Sequence, residues 1–230
     1  MRINVHIPDG FIGPGASAIA GVGAAGGFAV AVRQAKTYLT DRLVPLAALS
    51  AAFVFAAQMV NFPVLPGMSG HLIGGVLAAV LIGPSAGYLV MAIVLGVQAL
   101  VFADGGLSAL GLNIINLGGI AAVGGYWLYR LMLRFSNGSS RSVVIVAGLA
   151  AAVSVPLAAA GFAVEFALAG TTTSVSLTSV LWALVGTHML IGIGEGIITA
   201  AVIGAVVRSR PDLVYGAPTF TGERTEDLVV

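Results

Sequence analysis

Ser69-Gly70-His71-Leu72-Ile73-Gly74-Gly75-Val76-Leu77-Ala78-Ala79-Val80-Leu81-Ile82-Gly83-Pro84-Ser85 opens polar, turns apolar, and is cut by a glycine-proline pair. The apolar run that holds it extends over 69–103, too long for one bilayer crossing of about 20 residues. Pro84 lacks the amide hydrogen a helix needs and disfavours helix in the preceding residue. Gly83-Pro84 therefore divides the run into a short segment, 69–82, and a full one, 85–103. How the short segment is counted decides the topology.

Outward from it, further apolar runs cover 12–32, 43–60, 109–133, 142–169 and 179–207. A crossing at 69–82 gives seven spans, and a re-entrant segment there leaves six. Arg33, Lys36 and Arg42 follow the first run, Arg130, Arg134 and Arg141 lie between the fifth and sixth, and Arg208 and Arg210 follow the last. Seven spans put all three clusters on one side, which the positive-inside rule makes cytoplasmic; six would separate the first two. The expected fold is an all-α membrane protein of about seven transmembrane helices in one bundle, N-terminus outside and C-terminus cytoplasmic. One integral-membrane domain covers 1–208, and the polar residues 209–230 are expected to form a cytoplasmic tail. His6, His71, Asp104 and Thr171-Thr172-Thr173 then lie near the outer face.

Composition agrees. The chain is 58% hydrophobic and 8% charged, against about 25% charged in soluble domains. It is expected as a multi-pass protein of the cell membrane, in contact with the lipid bilayer. The net charge is +1 with no basic patch, so nucleic acid as a partner has no support. The absence of cysteine excludes disulfides, thiolate metal sites and cysteine nucleophiles, so a transition metal must be held by nitrogen or oxygen. The sole lysine is Lys36, and no G-x-x-x-x-G-K-[ST] phosphate loop occurs, so the chain cannot itself use ATP. Pro8, Asp9 and Gly10 stand where the apolar core of a cleaved secretory signal would run. Glycine is abundant, and Gly70/Gly74, Gly83/Gly87 and Gly192/Gly196 fit the small-xxx-small pattern of touching helices. The pattern serves either packing within the chain or a sliding face for a partner.

Only three histidines occur. His6 lies in Val5-His6-Ile7-Pro8-Asp9-Gly10-Phe11, before the first span; His71 opens the third; His188 lies within the last. Imidazoles at the water-facing ends of apolar segments suggest metal capture at a membrane. A histidine in second position offers a chelate: a terminal amine, the next backbone nitrogen once deprotonated, and the ring nitrogen close one five-membered and one six-membered ring. Three corners of a square are filled, and a second imidazole can complete it. Square-planar nitrogen favours Ni(II) or Cu(II), and Co(II) can be accommodated, whereas Zn(II) prefers a tetrahedron. His6 is sixth as written, but GUG, a valine codon, also initiates translation. The chain is therefore expected to start at Val5, whose terminal amine would be a ligand. Intact mass of the native protein tests this.

Four stretches together carry a family resemblance. They are His6-Ile7-Pro8-Asp9-Gly10-Phe11; Asn61-Phe62-Pro63-Val64 through Gly70-His71-Leu72; Gln98-Ala99-Leu100 through Asp104-Gly105-Gly106-Leu107 to Leu110-Gly111-Leu112-Asn113; and His188-Met189-Leu190-Ile191-Gly192-Ile193-Gly194-Glu195. In this order they resemble the CbiM/NikM family, the substrate-binding membrane subunits of energy-coupling-factor cobalt and nickel importers. The resemblance implies that His6 and His71 ligate the metal with the terminal amine and the second residue's amide nitrogen. It implies that the N-terminal segment folds back into the bundle as a plug, and that Ni(II) or Co(II) is the transported substrate. It also implies partners: a transmembrane coupling subunit, ATPase subunits and a small accessory membrane subunit. Metal supply to cobalamin synthesis or nickel enzymes follows from it. Protons compete for imidazole, so affinity is expected to fall below about pH 6.5.

Other polar residues keep two readings each. Asp9 either orients His6 or forms a turn with Gly10. Asn113 and Asn116 either cap the fifth helix or hydrogen-bond around the site. His188 is either an interhelix hydrogen-bonding residue or a support of the site. Glu195, seven residues on, is expected to pair with His188 or a backbone group. Glu165 either draws cations in or is a surface charge. The competing function is a rhomboid-like intramembrane serine protease, with Ser69 in Gly67-Met68-Ser69-Gly70 and His188 as its pair. That reading leaves His6 and His71 idle. A vitamin importer has no support, since aromatics make up only 7%.

Overall fold

A computed structural model describes residues 6–41, 43–65, 68–171, 178 and 181–216. After an extended N-terminal segment, α1 covers Pro14–Ala35 and α2 Val44–Gln58. A hairpin follows, β1 Asn61–Leu65 and β2 Met68–His71, then α3 Gly75–Ile82 and α4 Pro84–Val101. α5 Leu110–Ile114, a π-wound stretch Ile115–Gly124 and α6 Gly125–Leu133 follow one another directly. α7 is Ser140–Ala169, and a short π stretch, Leu181–Val185, leads into α8 Gly186–Ser209.

Proline starts three of these helices, within the first two positions of α1, α2 and α4, where its missing N–H has no intrahelical partner to lose. Ser139 caps α7, its hydroxyl accepting from the Ser142 N–H at 3.2 Å. Among the described residues, four helices are long and apolar enough to cross a membrane: α1, α4, α7 and α8. α2, fifteen residues long, is a shorter apolar helix.

The stretch 69–82 departs from the expected single helix. Its first residues pair with β1, Asn61 opposite His71 and Phe62 opposite Gly70. Gly74, at φ +75°, turns the chain into α3. α3 has eight residues, about 12 Å of rise, against a hydrocarbon core of about 30 Å. Every residue of α3 is buried, in a core shared with α4, α6, α7 and α8. Gly83, at φ +85°, separates α3 from α4, and a Cβ there would meet the Tyr38 hydroxyl at 2.7 Å.

Two of the glycine pairs work within the chain. Gly192 and Gly196 face α7, where added Cβ atoms would stand 2.4 Å from the Ala152 carbonyl and 2.7 Å from that of Gly148. Gly87 lies against Ala79, bringing α4 onto α3. Residues 211–216 return to the bundle: the Tyr215 N–H donates to the Val80 carbonyl at 2.9 Å, and Arg130 donates to the Gly216 carbonyl at 2.8 Å.

Candidate metal site

The N-terminal segment is strapped in from two sides. On one, the Gly106 N–H donates to the Ile7 carbonyl at 2.9 Å, and the Ile7 N–H donates to Asn113 Oδ1 at 3.1 Å. Asp9 Oδ1 accepts from the Ser108 N–H at 2.8 Å and its hydroxyl at 2.5 Å. On the other, Gly13 donates to the Ala169 carbonyl and Thr171 to that of Phe11, at 2.8 and 3.1 Å. Glycine is required at the first strap, because a Cβ on Gly106 would lie 2.3 Å from the Asp9 nitrogen and one on Gly105 2.9 Å from His6 Cβ.

This strapping buries His6 beside His71, each only about one-twentieth exposed. The rings meet edge to face with centroids 4.6 Å apart. His6 Nε2 lies 2.9 Å from Gln98 Oε1. A carboxamide oxygen only accepts, so Nε2 carries the hydrogen and Nδ1 holds the lone pair. That Nδ1 is buried without a hydrogen-bond partner among the described residues. His71 Nδ1 lies 2.7 Å from the Leu72 carbonyl, so it donates and leaves Nε2 as the basic nitrogen. Burial pushes His6 down to about 4 against the opposing Gln98 bond. Burial, then the neighbouring His6, pushes His71 down to about 3. Both rings are neutral near pH 7, the state in which imidazole ligates.

The remaining candidates take other places. Asp9 does not orient the His6 ring; it holds Ser108, whose hydrogen bonds lower its carboxyl below the usual range. Asn113 caps no helix and grips both backbone groups of Ile7. Asn116 donates to Glu165 at 2.8 Å. His188 Nδ1 bonds the Leu184 carbonyl, one turn back on its own chain, at 2.7 Å. Glu195 takes a backbone partner rather than His188, accepting from the Ile73 and Gly74 N–H groups at 2.5 and 2.8 Å. Ser69 lies in β2. Val5 lies outside the described residues. No group of three or more His, Cys, Asp and Glu side chains gathers among the described residues.

Sequence reasoning passed over Gln98, Gly105, Gly106 and Ser108 as site residues. The available signal was a glutamine inside an otherwise apolar span, an expensive placement without a partner.

Comparison with known proteins places the chain in a family and a fold. The model of the CbiM family, described as "Cobalt uptake substrate-specific transmembrane region", matches residues 6–213. A fused nickel transport protein NikMN of Rhodobacter capsulatus is 34% identical over 221 residues, covering 91% of this chain and 64% of that protein. A cobalt transport protein CbiM of Geobacter sulfurreducens is 31% identical over 214 residues, covering 91% of this chain and 61% of that protein. The chain thus spans a little under two thirds of these two longer relatives. The crystal structure of a truncated transition metal transporter superposes with a TM-score of 0.81 at 31% identity, covering 88% of this chain and 98% of that one. These relatives lend no support to the protease reading.

Proposed function

Because this chain belongs to the CbiM family of cobalt-uptake substrate-specific transmembrane proteins, we propose that it captures Ni(II) or Co(II) through His6 and His71 and passes the ion across the cell membrane. The observation that carries this reading is the His6 ring: buried, neutral, held by Gln98 at Nε2, and with an unpartnered Nδ1. Nδ1 is the ring atom that closes a six-membered chelate with the residue's own amide nitrogen. His71 Nε2 supplies a second imidazole, the His6 amide nitrogen a third donor, and a terminal amine at Val5, on the reading that translation starts there, the fourth. Four nitrogens in a plane suit Ni(II) and accommodate Co(II).

Asp9 and Asn113 serve by holding the segment that carries His6. The energy for release inward comes from partners: ATPase subunits, a transmembrane coupling subunit and a small accessory membrane subunit. The fused nickel transport protein and the cobalt transport protein CbiM among the relatives support a transport role; on this proposal the ion supplies cobalamin synthesis or nickel enzymes.

The test is calorimetric titration of the purified protein with Ni(II) and Co(II), alongside His6→Ala and His71→Ala. Each substitution is expected to abolish high-affinity binding. Retention of binding by both variants rejects the site.

A further inference from the structure

The backbone on both sides of His71 packs against α8. One face of α8 carries His188, Ile191 and Glu195, spaced three and four residues apart as neighbours on a helix. This face runs along the segment 70–74. A Cβ on Gly70 would stand 2.6 Å from Ile191 Cδ1 and 3.1 Å from His188 Cε1, so α8 packs on the backbone just before His71. Just after it, the Glu195 carboxylate accepts from the Ile73 and Gly74 N–H groups. The Ile73 carbonyl is held separately by α2, accepting from Gln58 Nε2 at 2.9 Å. Ile73 is thus gripped at both its N–H and its carbonyl, by two helices that are not consecutive in the chain. Glu195 and Gln58 are both buried, where such bonds are not traded for water.

We infer that Glu195 and Gln58 are positioning residues for metal binding: their clamp on Ile73–Gly74 fixes where His71 presents its imidazole. The inference rests on the ligand role proposed for His71. It needs no contact between either residue and the ion. A carboxylate is required because both of its oxygens accept; glutamine would turn one into an N–H donor facing a backbone N–H.

The test is a double-mutant cycle read by Ni(II) titration of the full chain in detergent. Glu195→Gln and Gln58→Leu are each expected to weaken binding about ten- to a hundredfold, as loss of groups that orient a metal ligand does. The visible d–d band of bound Ni(II) is expected to shift with them. In a His71→Ala background neither is expected to weaken residual binding further, since each acts through His71. If His71→Ala itself leaves affinity unchanged, the ligand assignment is wrong. If His71→Ala weakens binding while folded Glu195→Gln and Gln58→Leu both bind as the native chain does, the clamp inference alone is overturned. Full additivity with His71→Ala also overturns it. Should Glu195→Gln fail to fold, Gln58→Leu decides by the same criteria.

Discussion

The imidazoles of His6 and His71 meet edge to face, their planes at 81°, one ring from the start of the chain and the other from the end of a hairpin. The contact exists only when the N-terminal segment is docked. Burial depresses both rings, His6 to about 4 and His71 to about 3. Above the ordinary histidine value of 6.5 both are neutral, docked or undocked, and pH has no leverage. As pH falls from about 6.5 toward 4, the undocked segment takes up the proton first and docking is lost; for His6 alone the full effect is on the order of 3 kcal/mol. Hydrogen exchange of the Ile7 amide in metal-free protein is expected to accelerate across that window. Unchanged protection there would mean the rings are solvated.

Gln98 fixes which nitrogen of His6 is free. Gln98→Leu keeps similar bulk and leaves the Nε2–H buried without an acceptor, a cost of about 1–3 kcal/mol. The ring is then free to change tautomer. Ni(II) affinity is expected to fall about tenfold or more, while thermal stability of the bundle falls only slightly. Titration alongside a melting curve separates the two; native affinity in Gln98→Leu would remove Gln98 from the site.

Much of this arrangement was legible before the structure, and the illegible part has a common cause. The helices fall where long apolar runs announce them, because a lipid-facing helix must be apolar along its length. The hairpin that ends at His71 was concealed because apolar residues beside His71 read as the mouth of a helix; the Gly74-Gly75 pair inside the run was the contrary signal. His6 alone reads as a solvated surface residue; the stretch His6-Ile7-Pro8-Asp9-Gly10-Phe11 and its family resemblance singled it out. Gln98 did not stand out, since its role exists only once α4 meets the N-terminal segment. Glu195 was visible as a costly acid in a span, but a partner 121 or 122 residues away is a tertiary fact.

Two glycines test the docking of the plug. Gly106→Ala places a Cβ 2.3 Å from the Asp9 backbone nitrogen, a contact no rotamer relieves. It is expected to expel the segment and abolish Ni(II) binding. Gly10→Ala meets no atom within 4 Å and suffers only from its φ of +81°, a penalty of about 1–2 kcal/mol. It is expected to weaken binding modestly. Equal binding by both variants, measured by calorimetry, would show that the segment does not need this strap.

The α7–α8 contact offers a matched pair on one helix that separates packing from function. A Cβ on Gly192 would lie 2.4 Å from the Ala152 carbonyl, backbone against backbone, so Gly192→Ala must push the helices apart. Overpacking of this kind costs about 1–3 kcal/mol. Gly194, two residues on, meets nothing within 4 Å, and alanine there gains up to about 1 kcal/mol of helix propensity. Gly192→Ala is therefore expected to melt earlier in detergent, and Gly194→Ala at the same temperature as the native chain or higher. Because Glu195 rides on the same helix, Gly192→Ala should also loosen the grip on Ile73 and Gly74 and weaken Ni(II) binding, whereas Gly194→Ala should leave it intact. An early-melting Gly192→Ala that still binds Ni(II) with native affinity would mean that the spacing of α7 and α8 does not reach His71.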